Sequence, residues 1–367
     1  MKFTCSTADI TAASATVAKA VSQKAAIPSI EGILITAAAG AVTLTGYDLE
    51  LAITTQMSAV IEEEGSIVIN AKTLCDIVRK MSDETITITA DERKLCSIKS
   101  GYSEFSLNGI GADEYPELPS VQNGIGININ TETFIKMVKK TVFACAVVDT
   151  RPMFTGVKFE IEDGELRMVA LDGFRLAIRK EKIAYESEKL EFIVPSKTLN
   201  EIIKISYETD EEISISLGKR HIVFTIGDYS IISRLIEGEF LNYSRTIPTG
   251  SNTQAIVNTS TLLNAIERTA IVITDRVKSP IRCIFGGNEI KLNCITNTAR
   301  VNDRISASIV GDKIEIGFNS KYFIDALKNC DCEQIKIEML DAIKPIKITS
   351  TEDDSFLFII MPVRLTH

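Results

Sequence analysis

The chain has 367 residues, 45% of them apolar, and a formal net charge of -9. Its length holds about three domains of the usual 100 to 150 residues, each large enough for its own core. No apolar run approaches the roughly 20 residues of a membrane span, the first residues lead into a strand and helix rather than a secretory leader, and a soluble cytoplasmic protein without a membrane partner is expected.

Taken in chain order, the elements recur. A helix is expected over residues 10–20, with Ser6 as a candidate cap, then the element 46–51, a β-rich stretch at 66–69 and a second helix from Lys72 to Arg79. Alternating Ile86 and Ile88 mark a strand after it. The same order returns with a helix at 133–144 behind Asn130, the matching element 171–176, a stretch at 192–194, a helix from Lys197 to Lys204, and alternation at Ile213, Ile215 and Leu217. A third copy has a helix at 261–271 behind Asn258, the segment 296–299, a strand at 314–318, a helix from Lys321 to Lys328, and Ile335, Ile337 and Met339. Lys72, Lys197 and Lys321 stand 125 and 124 residues apart, so the chain reads as three related units. The expected class is α+β, with domains at 1–122, 123–249 and 250–367.

The second helix of each unit places apolar residues at i, i+3 and i+4 and sets a basic, an acidic and a basic residue at i, i+4 and i+7 on another face. Over the six predicted helices, Lys19, Lys72, Arg79, Lys80, Lys136, Lys139, Lys140, Lys197, Lys204, Arg268, Lys321 and Lys328 stand against Asp9, Asp76, Glu132, Glu201, Glu267 and Asp325. An acidic chain therefore concentrates cations on its helices, the arrangement suited to phosphates without base readout. Solvated i,i+4 pairs, such as Lys72 with Asp76, are the plainer account of any one copy. One register kept three times favours a shared face.

Other chemistries find little support. Eight cysteines are scattered, and Cys330 with Cys332 is the only close pair, so neither a zinc site nor another metal or cofactor is expected. Gly109 with Gly111, and Gly124 with Gly126, are isolated pairs rather than a phosphate-binding fingerprint. His221 reads as a surface residue at a turn, and His367 as a chain end. Asp48 with Glu50, and Asp113 with Glu114, read as solvated carboxylates rather than an acid/base pair. A non-catalytic protein is expected.

The start at Met1–Thr4, Lys24 ahead of residues 27–34, the element 46–50, Phe105 to Leu107 upstream of Tyr115 and Pro116, Thr150 to Val157, Asp172 to Ala177, and the ending Met361 to Leu365 together resemble the bacterial DNA sliding clamp family, the DNA polymerase III beta subunit. The resemblance runs in order along the whole chain. It implies a processivity factor, a ring of six domains made by a head-to-tail homodimer, with helices around double-stranded DNA bound independently of sequence. DNA contact would fall to Lys24, Lys72, Arg79, Lys136, Lys140, Lys197, Lys204 and Lys321. Asp76, Glu201 and Asp325 would moderate the attraction, and the loop at Asp149 to Met153 carries Pro152 and Met153 where some members have aromatic residues.

The resemblance also implies a hydrophobic pocket for a short peptide from the replicative polymerase, the clamp loader or repair proteins. Its residues would be Phe154, Leu171, Gly173, Phe174, Leu176, Leu241, Thr246, Ile343, Pro345, Ile359, Met361, Pro362 and Val363, with Arg175 and Arg364 at the rim. Phe174 stands where histidine is common and Leu241 where proline is frequent. Ring closure would use Phe105, Leu107, Ile271 and Val272. The region from Asn297 to Arg304 carries Arg300 and Arg304 and is less acidic than in some relatives. A protein-binding scaffold that does not encircle DNA is the alternative, and it has no need of a basic helix face.

Overall fold

The computed structural model describes residues 1–122, 124–148, 150–206, 212–274 and 279–365. Asp149 and His367 lie outside them. The first repeat runs β1 (Lys2–Ser6), α1 (Thr7–Val17), β2 (Gly32–Ala38), β3 (Ala41–Tyr47), β4 (Leu51–Ser58), β5 (Val60–Glu63), β6 (Gly65–Asn70), α2 (Ala71–Val78), β7 (Thr85–Ala90), β8 (Leu95–Ser100) and β9 (Ser103–Asn108). The second runs β10 (Ile125–Asn130), α3 (Thr131–Val142), β11 (Gly156–Glu162), β12 (Glu165–Leu171), β13 (Arg175–Lys182), β14 (Leu190–Pro195), α4 (Ser196–Ile205), β15 (Glu212–Leu217), β16 (His221–Ile226) and β17 (Tyr229–Arg234). The third runs β18 (Thr253–Asn258), α5 (Thr259–Ala270), β19 (Ile281–Gly286), β20 (Glu289–Ile295), β21 (Arg300–Ser306), β22 (Ser308–Gly311), β23 (Ile314–Phe318), α6 (Ser320–Lys328), β24 (Gln334–Met339), β25 (Ile346–Ser350) and β26 (Phe356–Ile360). The three copies share one order, two helices each set between antiparallel strands, except that among the described residues the second has no counterpart of β5 and β22.

The helices start where their capping residues dictate. Asn70 accepts a hydrogen bond from the Thr73 amide at 3.1 Å, Asn258 from Thr261 at 3.0 Å and Asn319 from Lys321 at 3.0 Å. Each satisfies a backbone donor that the first helical turn leaves without an internal partner. The first helix begins three residues before the expected position because Ser6 accepts from Asp9, which sets the first turn at Thr7.

The chain forms two compact units, residues 1–132 with 197–235, and residues 133–196 with 236–367. In the first, a five-stranded sheet has the order β5-β1-β7-β8-β9 and an eight-stranded sheet the order β10-β15-β16-β17-β4-β3-β2-β6. In the second, a nine-stranded sheet runs β14-β11-β12-β13-β26-β25-β24-β18-β22 and a four-stranded sheet runs β21-β20-β19-β23. Each large sheet joins strands of neighbouring repeats, through β4 with β17 and through β13 with β26.

The cores follow the alternation read from sequence. Ile33, Ile35, Leu44, Ile53, Ile86 and Ile88 are buried in the first unit beneath Ile10 and Val17 of α1 and Leu74 and Val78 of α2. In the second, Phe285, Phe318, Phe323, Ile335 and Ile337 are buried with Leu262 and Ile266 of α5. Each such side chain contributes roughly 1.5–3 kcal/mol through burial. Gly46 is required where α1 closes on β3, because a Cβ there would lie 2.1 Å from the Val17 carbonyl oxygen. Among the described residues, no helix is long and apolar enough to cross a membrane, and all eight cysteines are free thiols.

Candidate functional site

Lys72, Lys197 and Lys321 each lie in the first turn of the second helix of a repeat. The acids one turn on do not pair with them. Asp76 binds Arg79 at 2.6 Å and Glu201 binds Lys204 at 2.7 Å, both i,i+3, while Asp325 turns to Arg175 at 2.5 Å. The i,i+4 pairing expected of a plain solvated face is therefore not what these helices adopt. Lys72 and Lys321 are exposed with no ion pair among the described residues, as is Lys24 on the segment after α1. Lys197 is held by Asp48 of the turn before β4. Lys136 lies 3.7 Å from Asp331.

Lys140 departs from the expected solvent-facing row. Its side chain is 4% exposed and ion-paired with Asp331, above the ring of Phe356. Burial drives the ammonium below the ordinary lysine range, and the hydrogen bond and charge of Asp331 only partly oppose this. Burial alone would raise the Asp331 carboxyl, yet the Lys140 hydrogen bond and charge outweigh it and hold the group below the usual carboxylate range. The helical period places Lys140 one turn beyond Lys136, but at this turn α3 has sunk into its unit.

The turn at 171–176 is built by its own side chains. Asp172 accepts from the amides of Phe174 at 2.9 Å and Arg175 at 3.0 Å, and Gly173 takes φ +89°. The turn at 48–51 repeats this, with Asp48 accepting from Glu50 and Leu51. At 296–299, Thr296 takes the part through its hydroxyl, accepting from Ala299 at 3.0 Å. Leu49 occupies the position of Gly173 at φ +76°, a left-handed conformation that is costly for a residue with a Cβ.

Arg175 does not stand at a rim. Its side chain is 9% exposed, gripped by Asp172 at 3.1 Å and Asp325 at 2.5 Å, and lies 4.8 Å from the ring centre of Tyr322 and 5.6 Å from that of Phe143. Asp325 is thereby occupied in joining α6 to the turn and is withdrawn from any shared helix face. Phe174, 58% exposed, stacks on Tyr322 at 5.8 Å with the rings 17° apart. Tyr322 and Phe143 were not anticipated. The one visible signal was an aromatic residue following Lys321 where the other copies have Thr73 and Thr198.

Below this turn, Phe154, Leu171, Leu176 and Ile359 are buried in one cluster with Phe240 and Tyr243. They form a closed floor, and of the other apolar residues expected at this site Phe174, Leu241, Ile343, Met361 and Val363 are exposed. Thr246 donates its hydroxyl to the Tyr243 carbonyl at 2.6 Å, fixing the connecting segment. The C-terminal segment is laid down by two backbone bonds, Met361 N–H to the Phe174 carbonyl and Val363 N–H to the Gly317 carbonyl, both 2.8 Å. Gly317 permits this crossing, since a Cβ would meet the Val363 oxygen at 2.6 Å. Pro345 and Pro362 are half-buried and Arg364 is exposed.

Of the four carboxylates weighed for acid/base work, Asp48 caps its turn and Glu114 binds Lys94 at 2.9 Å. His221 opens β16 opposite Arg234. Burial, then the charges of Arg234 and Arg220, hold its imidazole below the ordinary histidine range.

Family models for the DNA polymerase III beta subunit match nearly the whole chain: the N-terminal domain at residues 1–119, the central domain at 128–242 and the C-terminal domain at 244–364. The chain belongs to the DNA polymerase III beta subunit family. It is 34% identical to the beta sliding clamp of Halalkalibacterium halodurans over 95% of both chains. The solved DNA polymerase sliding clamp of Bacillus subtilis superposes with a TM-score of 0.97 at 32% identity over 100% of both chains. A putative DNA polymerase III beta subunit from Eubacterium rectale gives 0.95 at 33% identity over 99% of both. As a beta sliding clamp the protein is a non-catalytic processivity factor of DNA replication. The three related units read from the spacing of Lys72, Lys197 and Lys321 are its three clamp domains.

Proposed function

We propose that this clamp encircles duplex DNA as a head-to-tail homodimer in the cytoplasm, with domains at 1–122, 123–249 and 250–367. Its helix cations face the phosphates and its 171–176 turn presents a hydrophobic site for peptides of the replicative polymerase, the clamp loader and repair proteins. One observation carries the reading: Lys72, Lys197 and Lys321 occupy the same first-turn position of the equivalent helix in each repeat. Lys24, Lys72 and Lys321 supply charge with no ion pair among the described residues; Arg79, Lys136, Lys197 and Lys204 supply charge already moderated by an acid. Partly neutralised cations suit a ring that slides, because contacts with phosphates must exchange readily.

The unpaired sheet edges support ring closure. Within the chain, β4 pairs with β17 and β13 with β26; the strands left over in the same positions are β21 and β9, each at the end of its sheet. Two copies placed head to tail cover both edges. Phe105 on β9 is 41% exposed and Ile271, closing α5, is 76% exposed, with Leu107 and Val272 beside them half-buried.

The test is loading onto nicked circular DNA by a clamp loader, followed by a salt wash and then linearisation. Retention on the circle at high salt with loss from free ends is expected. Release by salt alone from the circle refutes a topological ring. Replacing Lys24, Lys72 and Lys321 together by glutamate is expected to impair loading while leaving the dimer intact in sedimentation.

A further inference from the structure

The two repeat junctions inside the chain share one construction. Phe174 O accepts from Met361 N–H at 2.8 Å, and the equivalent Glu50 O accepts from Arg234 N–H at 2.8 Å. The strand pairs correspond as well, Leu176 opposite Ile359 and Ala52 opposite Ile232. Yet the side chains differ at each corresponding place. At the second junction Leu171 and Phe240 lie beneath exposed Phe174 and Met361. At the first, Tyr47 and Tyr115 stand in the places of Leu171 and Phe240, packed with Ala52 and Val68, and Tyr115 donates its hydroxyl to the Thr45 carbonyl at 3.4 Å. Both tyrosines are 7% exposed. Tyr47 stands opposite the small Ala52, and this floor is closed by its own aromatic residues as the second is by Phe154, Phe240 and Tyr243. Its lip is charged, with exposed Glu50 and Arg234 where the second junction has Phe174 and Met361.

Resting on the peptide-site reading above, we propose that Glu50 and Arg234, on the lip above Tyr47 and Tyr115, are specificity-determining residues. They close the first of two equivalent junctions to apolar peptides, so that each chain offers a single site. Both floors are closed, but at the first junction an apolar anchor must strip water from two charged side chains that gain nothing from it. At the second junction the same anchor covers Phe174 and Met361, which water already leaves unsatisfied.

The experiment titrates the full chain with a synthetic nonapeptide carrying leucine and phenylalanine anchors, reading stoichiometry by calorimetry. Wild type is expected to bind one peptide per chain. The variant Tyr47→Leu with Glu50→Phe and Arg234→Met is expected to bind two. The reverse graft, Phe174→Glu with Met361→Arg, is expected to lower affinity at the second junction at least tenfold with the circular dichroism spectrum unchanged. A folded triple variant that still binds one peptide overturns the inference. Should the triple variant not fold, the reverse graft decides: full affinity overturns the inference and a tenfold loss upholds it. A wild-type chain that binds no peptide sinks the peptide-site reading itself, and this inference with it.

Discussion

Replacing Asp325 by alanine distinguishes a structural clasp from a member of a DNA-facing row. The carboxylate is 29% exposed and sits 2.5 Å from the Arg175 guanidinium, whose side chain is 9% exposed. Removing one partner of a buried ion pair costs about 3–5 kcal/mol when the other charge is left alone. Arg175 keeps Asp172 at 3.1 Å, so a smaller loss of about 2 kcal/mol is expected, given that half of the pairing survives. The damage should be local, because the clasp ties α6 to the turn that carries Phe174. Native-state hydrogen exchange at the Met361 amide, bonded to the Phe174 carbonyl, reads it directly. A loss of about 2 kcal/mol corresponds to roughly thirtyfold faster exchange when exchange follows the opening equilibrium. Arg175→Met with Asp325→Ala should add little to Arg175→Met alone, since losing the guanidinium already removes the contact with Asp325. Exchange at Met361 within about threefold of wild type refutes the clasp by the same scale. Faster or slower diffusion on DNA in the variant, with exchange unchanged, would return Asp325 to the helix face.

Gly317→Ala drives a methyl group into the Val363 carbonyl, and the segment after β26 is expected to lift from β23, seen as new proteolytic cleavage after residue 360 and weaker peptide binding; an intact segment refutes the contact. Lys72→Ala and Lys321→Ala are each expected to reduce the slope of log affinity against log salt for a short duplex by up to about 0.9, whereas Lys140→Gln leaves the slope unchanged because its ammonium is already buried against Asp331. A slope change for Lys140→Gln equal to the others refutes that distinction. His221 carries a folded pKa below its unfolded value, so the folded state resists a proton that the unfolded state accepts. Stability should therefore be unaffected above the ordinary value near 6.5 and fall as pH drops from there toward the folded value. His221→Gln should remove that portion of the slope in thermal unfolding; an identical pH profile refutes it.

Much of the architecture was legible because it rests on local chemistry repeated in register. Asn258, at the start of α5, could be read as a cap from its type and place alone, and Ile86, Ile88, Ile213 and Ile215 betray strands by period two. Lys140 was misplaced because helical period gives an angle about an axis but not the depth to which that axis sinks. Arg175 was set at a rim because nothing near it in sequence reveals Asp325, which lies 150 residues away and reaches it only through the packing of α6 on the β13–β26 sheet. Tyr322 escaped notice for the same reason.

By itself, the amino-acid sequence determined the threefold repetition, the cap and strand pattern, and the concentration of cations on helices, since each depends on residues within a few turns of one another. Only the tertiary structure decided which cations stay free and which are spent on carboxylates. It also decided which of two equivalent junctions is filled by tyrosine, and which apolar side chains form floor rather than lip. Those outcomes depend on charges and volumes brought together from distant parts of the chain, where burial strengthens a pair or empties a surface of water.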